Sequence, residues 1–237
     1  MHMPKESDRL HHAFKQAHIF KDLKPDQIEA VADHFRTRAL KDDEILFHQN
    51  DHAAVFYLIL EGQLKILQTT AEGFEVILHV LGPGDIVGAL PTIGEGTYPA
   101  SATSLGSTLV AFVDAESFDH ILHKHPLVAR NLLRFATKVL QRSHLKIREL
   151  ATERVERRIA RALSRLAGQL GRKENGKIHL DFPLSQQDLA EMTGTTVYTV
   201  SRTLNEWKRQ GILDHGRERI VILEPHKLVE IGEDLLK

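Results

Sequence analysis

Apolar positions along this chain change their rhythm twice. From about Phe20 to Phe112 they fall in short runs of Val, Ile, Leu and aromatic residues, broken by glycines. "VFYLILEGQLKILQTT" reads as two strands about a turn at Glu61-Gly62. "TAEGFEVILHVLGPGDIVG" adds a turn at Glu72-Gly73, a strand and a turn at Gly82-Pro83-Gly84, and "SATSLGSTLVAFV" closes the series. Short strands at regular spacing with glycine turns predict a sandwich or barrel-like roll. "KPDQIEAVADHF" predicts a short helix ahead of it, with Pro25 in the first turn, where a missing N–H costs nothing.

After Pro126 the rhythm becomes helical, with no glycine or proline until Gly168. Ala129, Leu133, Ala136, Leu140, Ser143, Ile147 and Leu150 alternate steps of four and three. That is a heptad seam, the pattern that pairs two helices, although a stripe of this length also suits a helix packed on its own domain. Thr152 is placed to cap a further helix with Val155, Ile159, Leu163, Leu166 and Leu170 on one face, which the glycine-rich "GQLGRKENGK" ends.

From about Ile178 the elements are shorter. "IHLDFP" is an extended piece. "SQQDLAEMTG" is a helix capped by Ser185 and stopped at Gly194; "TTVYTVSRTLNEWKRQG" is a second helix stopped by Gly211; "ILDHGRERIVIL" is a hairpin turning around His215-Gly216. Leu189 and Met192 in the first helix, and Val200, Leu204 and Trp207 in the second, fall on core-facing positions. Val197, Tyr198, Ser201, Arg202 and Asn205 remain on or near another face. A helix serving only as core has no use for Tyr, Ser and Arg clustered there. A helix in the major groove has: Arg bonds a guanine edge twice, Ser meets either base type, and Tyr or Val meets a thymine methyl. Val197, Tyr198, Ser201 and Arg202 are therefore candidates for base contacts, near the helix start where recognition helices meet base edges. Gln186, Thr196, Thr199, Lys208, Arg209 and Arg217 are candidates for the DNA backbone, with "GRER" as a wing tip. A winged domain that binds protein, its helix merely solvated, is the alternative.

Charge narrows this reading. The 237-residue chain has a formal net charge of −1, so affinity for DNA needs a local basic face. Between Thr195 and Ile220, Arg202, Lys208, Arg209, Arg217 and Arg219 outnumber Glu206, Asp214 and Glu218. There is no cysteine, which excludes disulfides, thiolate zinc sites and cysteine-ligated iron–sulfur clusters. No apolar run reaches the ~18 residues of a membrane span, and the polar start "MHMPKESDRLHH" is unlike a secretory signal, so a soluble cytoplasmic protein is expected. No nucleophile–base pair, metal motif or phosphate-cradling loop suggests an enzyme. "HILHKH" places His120 and His123 on one helical face near Asp114 and Asp119, but with His125 it also reads as a solvated helix before Pro126, and no metal is expected.

The ordered set of motifs resembles the CRP/FNR family of bacterial transcription regulators over about residues 18–224. "LSQQDLAEMTGTTVYTVSRTLNEWKRQGIL" resembles its helix-turn-helix, "YLILEGQLKI" and "LGPGDIVG" its cyclic-nucleotide-binding-type roll, and "HPLVARNLLRFATKVLQRSHLKI" its long dimerisation helix. The resemblance implies an α+β chain: a jelly-roll-like sensor domain over 1–126, a dimerisation helix over 127–150 and a winged helix-turn-helix over 151–237. Leu133, Ala136, Leu140, Ile147 and Leu150 would form the dimer interface. The implied partners are a second copy, a palindromic DNA operator with half-sites ~34 Å apart and RNA polymerase, with no membrane.

Two departures stand out. Tyr198 takes the place where the recognition helix often carries glutamate four residues before an arginine, here Arg202, so the half-site should differ. Ser201 before that arginine resembles the oxygen- and nitric-oxide-responsive branch. Cyclic-AMP-binding members carry a Gly-Glu-Leu and an Arg-Ser-Ala cassette; here Gly88-Ala89-Leu90 and Tyr98-Pro99-Ala100 stand there, without carboxylate or guanidinium. Burying a phosphate unpartnered is expensive, so cyclic AMP is not the expected effector. The candidate pocket residues are Gly88, Ala89, Leu90, Tyr98, Ser143 and His144. Their apolar character suits heme, another hydrophobic ligand or a filled core, with His18, His79 and His144 as possible ligands among fifteen histidines. A heme-dependent gas sensor, an effector-independent regulator and a regulatory subunit acting on a protein partner are the other readings.

Overall fold

Two antiparallel sheets and one long helix organise the chain. The computed structural model describes residues 10, 13–94, 96–216 and 219–233. It divides into two units: Met1–Gln68 with Val80–Arg142, and Thr69–His79 with Ser143–Lys237.

The first sheet has six strands: β1 (Arg36–Leu40), β2 (Ile45–Phe47), β3 (Val55–Thr69), β4 (Glu75–Leu81), β5 (Ile86–Val87) and β6 (Ser101–Asp114). Their order is β1-β6-β3-β4, with β2 also on β6 and β5 on β3. The two strands read in "VFYLILEGQLKILQTT" are one, because Glu61-Gly62 is not a turn. β3 runs through it and pairs with β6 from Val55↔Asp114 to Leu67↔Ser101, with register shifts between Ile59 and Gln63. Gly62 has φ 80°, and a Cβ there would lie 2.5 Å from the Ser107 carbonyl oxygen. A glycine within an apolar run marks a bulge as readily as a turn, and bulges bend long strands.

The core of this unit has two parts. Phe14, Phe20, Phe35, Phe56 and Phe118 form an aromatic cluster in which Phe14 and Phe20 stack at 4.6 Å. Phe47, Tyr57, Tyr98, Ile59, Leu64 and Val110 form the other. Helix α1 (Pro25–Ala32), the short α2 (Ala89–Ile93) and α3 (Ala115–Lys124) accompany the sheet. Asp114 caps α3 by accepting from the Ser117 N–H at 2.8 Å, which gives this carboxylate a structural role.

The long helix α4 spans Pro126–Thr152. Near its start Val128 and Leu132 join the aromatic cluster, and the buried Asn131 donates to the carbonyls of Ile19 and Lys21 at 3.1 and 2.8 Å. The heptad positions behave differently: Leu133, Leu140, Ile147 and Leu150 are 71%, 57%, 64% and 44% exposed.

In the second unit, α5 (Val155–Leu170) buries Ile159, Leu163 and Leu166. Thr152 does not cap it. Thr152 is the last residue of α4, its hydroxyl donates to the Arg148 carbonyl at 2.9 Å, and Arg154 takes the cap position without a side-chain bond. A threonine can bond backward to its own helix as well as forward to a new one. The glycine-rich segment is a hairpin, β7 (Arg172–Glu174) and β8 (Lys177–Leu180), turned by Asn175 and Gly176 at φ 49° and 77°. Asn-Gly suits such a turn because both residues tolerate positive φ. Then come α6 (Gln186–Thr193), α7 (Val197–Arg209), β9 (Leu213–Gly216), β10 (Arg219–Ile222) and α8 (Pro225–Glu233), with sheet order β7-β8-β10-β9. His215 and Gly216, expected as a turn, lie within β9, paired with Ile220 and Arg219. Helix α8 is not foreseen by the sequence pattern; it meets α5 where Arg161 donates to the Gly232 carbonyl at 2.7 Å.

Candidate nucleic-acid interface

Local chemistry sets the two-helix geometry. Ser185 caps α6: its hydroxyl accepts from the Asp188 N–H at 3.0 Å while Asp188 accepts from the Ser185 N–H at 2.9 Å. Gly194 ends α6 in the left-handed region, φ 60°. Two residues later Thr196 caps α7, accepting from the Thr199 N–H at 3.2 Å, with the two threonine hydroxyls 3.0 Å apart. Two candidates for DNA-backbone contact thus already serve as helix-start chemistry, where backbone N–H groups face outward and favour anions.

Helix α7 divides cleanly. Val200, Leu204 and Trp207 are 0%, 1% and 5% exposed, the three positions the periodicity assigns to the core. Tyr198 is 77% exposed, Arg202 is exposed, Val197 is 39% exposed and Ser201 is half-buried. Tyr198 and Arg202 stand one helical turn apart, and neither bonds or pairs with another described residue.

Other candidates are engaged. Lys208 pairs with Asp214 of the wing at 2.7 Å, and its hydrogen bond holds the Asp214 carboxyl below the usual range. Arg209 pairs with Glu206 on its own helix. Counting charges in the sequence treats both cations as free; strand register and i,i+3 spacing pair them. Exposed pairs of this kind are weak, so exchanging a carboxylate for a phosphate costs little. His215 on β9 approaches Asn205 on α7, Nε2 to Oδ1, at 3.2 Å, a tie between wing and helix that the sequence does not signal. Gln186 opens α6 and, with His215, Gly216 and Leu204, lines a cleft of about 310 Å³. Arg217 lies outside the described residues.

The candidate effector residues look different. Tyr98 is 3% exposed. Its ring stacks on Phe47 with centroids 3.7 Å apart, and its hydroxyl donates to the Val55 carbonyl at 2.6 Å. A Cβ on Gly88, φ 80°, would lie 2.9 Å from the Tyr98 ring. Burial above all, then the neighbouring Tyr57, pushes this phenol up to about 12. Tyr98 is thus packed into the second part of the core. Ala89 is buried and Leu90 is 40% exposed. On α4, His144 is exposed and Ser143 half-buried. His18 is exposed at the start of a 3-10 turn, and His79 lies on β4. His123 sits 3.3 Å from Asp119, His120 faces the His34 ring at 5.9 Å, and no cluster of three His, Cys, Asp or Glu residues able to hold a metal occurs among the described residues.

Such a fold and such a helix define a winged helix-turn-helix protein with a cyclic-nucleotide-binding-type roll. Residues 37–125 match the cyclic nucleotide-binding domain family, and residues 157–231 the Crp-like helix-turn-helix domain family. The chain is 28% identical to the cyclic AMP receptor protein of Thermus thermophilus over 92% of its own length and 98% of that protein's. It is 26% identical to the transcriptional activator protein anr of Pseudomonas aeruginosa, over 83% of this chain and 80% of that one. The solved structure of FixK2 from Bradyrhizobium japonicum shares its fold, with a TM-score of 0.75, 23% identity, and coverage of 83% and 96% of the two chains. The chain belongs to the CRP/FNR family and is a DNA-binding transcription regulator; the family's members are regulators rather than enzymes. No described helix is long and apolar enough to cross a membrane.

Proposed function

We propose that the protein works as a homodimer that reads a two-fold symmetric operator, each copy laying α7 in the major groove. The observation that carries this reading is the exposed pair Tyr198 and Arg202, whose side chains bond to no other described residue, on the face of α7 opposite Trp207. Arg202 would take a guanine edge through two hydrogen bonds, with Val197, Tyr198 and Ser201 meeting neighbouring bases. Thr196, Thr199, Gln186, Lys208, Arg209 and Arg217 would meet phosphates, the two paired cations exchanging their carboxylates. The exposed leucines and isoleucine of α4 support pairing of two copies through Leu133, Ala136, Leu140, Ile147 and Leu150. RNA polymerase is the partner the family implies.

Selecting duplexes from a randomised pool with the full-length protein, followed by sedimentation equilibrium, tests this. A palindrome with half-sites about one helical turn apart, bound by a dimer, is expected. A monomer that prefers no sequence overturns the proposal.

The effector is a separate matter. Several relatives are named for cyclic AMP, but Gly88-Ala89-Leu90 and Tyr98 supply neither carboxylate nor guanidinium. We propose that cyclic AMP is not the effector; micromolar binding in calorimetry refutes this. The packed Tyr98 favours an effector-independent regulator, with heme as the other arm of the test. Apo protein that binds the selected operator at full affinity, with no gain from hemin and no Soret shift, supports independence.

A further inference from the structure

The carbonyls that end α6 are held by cations from two other helices. Lys146 Nζ of α4 donates to the Met192 carbonyl. From α5, Arg158 Nε donates to the Thr193 carbonyl at 2.8 Å and a terminal guanidinium nitrogen to the Gly194 carbonyl at 3.1 Å. Its other terminal nitrogen donates at 3.1 Å to the carbonyl of Glu153, the residue after α4. The Leu150 side chain closes over the same turn, 3.0 Å from where a Cβ on Gly194 would stand. Beneath them the buried Glu149 of α4 takes two bonds from Arg165 of α5, at 2.7 and 3.0 Å.

Helix C-termini leave carbonyls unpaired and favour cations, but water satisfies an exposed end as well. Here a lysine pays for its place by desolvation, which, with the Arg165 and Arg158 charges and against Glu149, pulls its ammonium down to about 8. The helix end so held, Met192 to Gly194, lies two residues before Thr196, the cap of α7.

We infer that Lys146 and Arg158 are positioning residues for DNA recognition: they tie the α6–α7 turn to the ends of α4 and α5 and fix the direction in which Tyr198 and Arg202 project. This inference rests on the DNA-reading role proposed for α7. Lys146 adjoins Ile147, and Leu150 touches Gly194, so two seam residues sit against the clamp.

The test uses full-length protein, the duplex the wild type selects and a scrambled duplex, titrated across a salt series. Lys146→Met and Arg158→Met are each expected to weaken the selected duplex about tenfold, to leave the scrambled duplex and the salt slope unchanged, and to remain dimeric. Lys146→Arg, which keeps charge and donors, is expected to recover most of the loss. Equal loss on both duplexes, with the salt slope reduced by about one, makes these residues phosphate contacts and overturns the inference. Unchanged affinity for the selected duplex overturns it too. If circular dichroism shows lost helix in a methionine variant, Arg158→Lys carries the test: it keeps the charge but not the paired carbonyl bonds, and wild-type affinity in it overturns the clamp. A wild type that selects no duplex defeats the DNA-reading role; a selected duplex indifferent to all variants defeats only the clamp.

Discussion

Tyr98 and Tyr198 stand at the two places where the sequence suggests chemistry, and the structure uses them in opposite ways. Tyr98 is 3% exposed, stacked on Phe47, its hydroxyl spent on the Val55 carbonyl. Tyr198 is 77% exposed and bonds to no described residue. The roll packs its phenol into the core, while the winged unit leaves its phenol and the nearby guanidinium without a side-chain partner among the described residues. Polar groups that a protein leaves unsatisfied at its surface are available to a partner; those it satisfies internally are already part of the fold.

Mutation sharpens the contrast. Tyr98→Ala should cost about 4 kcal/mol of stability, as large-to-small changes at buried aromatic sites do, seen as a lowered denaturant midpoint. A loss below about 1 kcal/mol marks a site with room to spare and breaks the comparison. Arg202→Ala should remove about 2 kcal/mol of discrimination at one G·C pair while leaving the fold intact; equal weakening on all sequences makes Arg202 a phosphate contact instead. Tyr198→Ala should change stability by no more than about 0.5 kcal/mol yet shift half-site preference in a selection experiment. The smallest effect concerns His215, whose imidazole burial above all, then Lys208, holds below its usual range against the pull of Asp214. The unfolded chain therefore takes up this proton first as pH falls. The contribution is full above the ordinary imidazole range and declines as pH drops through it. His215→Gln should flatten that part of the stability profile; an unchanged slope between pH ~7 and ~5 refutes the assignment.

Periodicity made the helices legible. Val200, Leu204 and Trp207 are core because their spacing is helical, and Ser185 and Gly194 bound α6 by chemistry that is local in sequence. Gly62 was opaque because a turn and a bulge both call for glycine, and only the partner strand distinguishes them. The Asn175-Gly176 hairpin hid behind residues that also read as a helix stop. The partners of Lys208 and Asn205, Asp214 and His215, became neighbours through the register of β9, which no one-dimensional pattern encodes. Lys146 and Arg158 carried no signal, since their partners are backbone carbonyls, identical at every position.

Trp207 is the sole tryptophan in the chain and lies almost wholly enclosed at the base of α7. Its indole emission is therefore a private optical channel to the winged unit, to which the roll contributes no tryptophan. Following that emission beside a whole-chain signal during denaturation resolves whether the two halves melt together or apart, with no label attached.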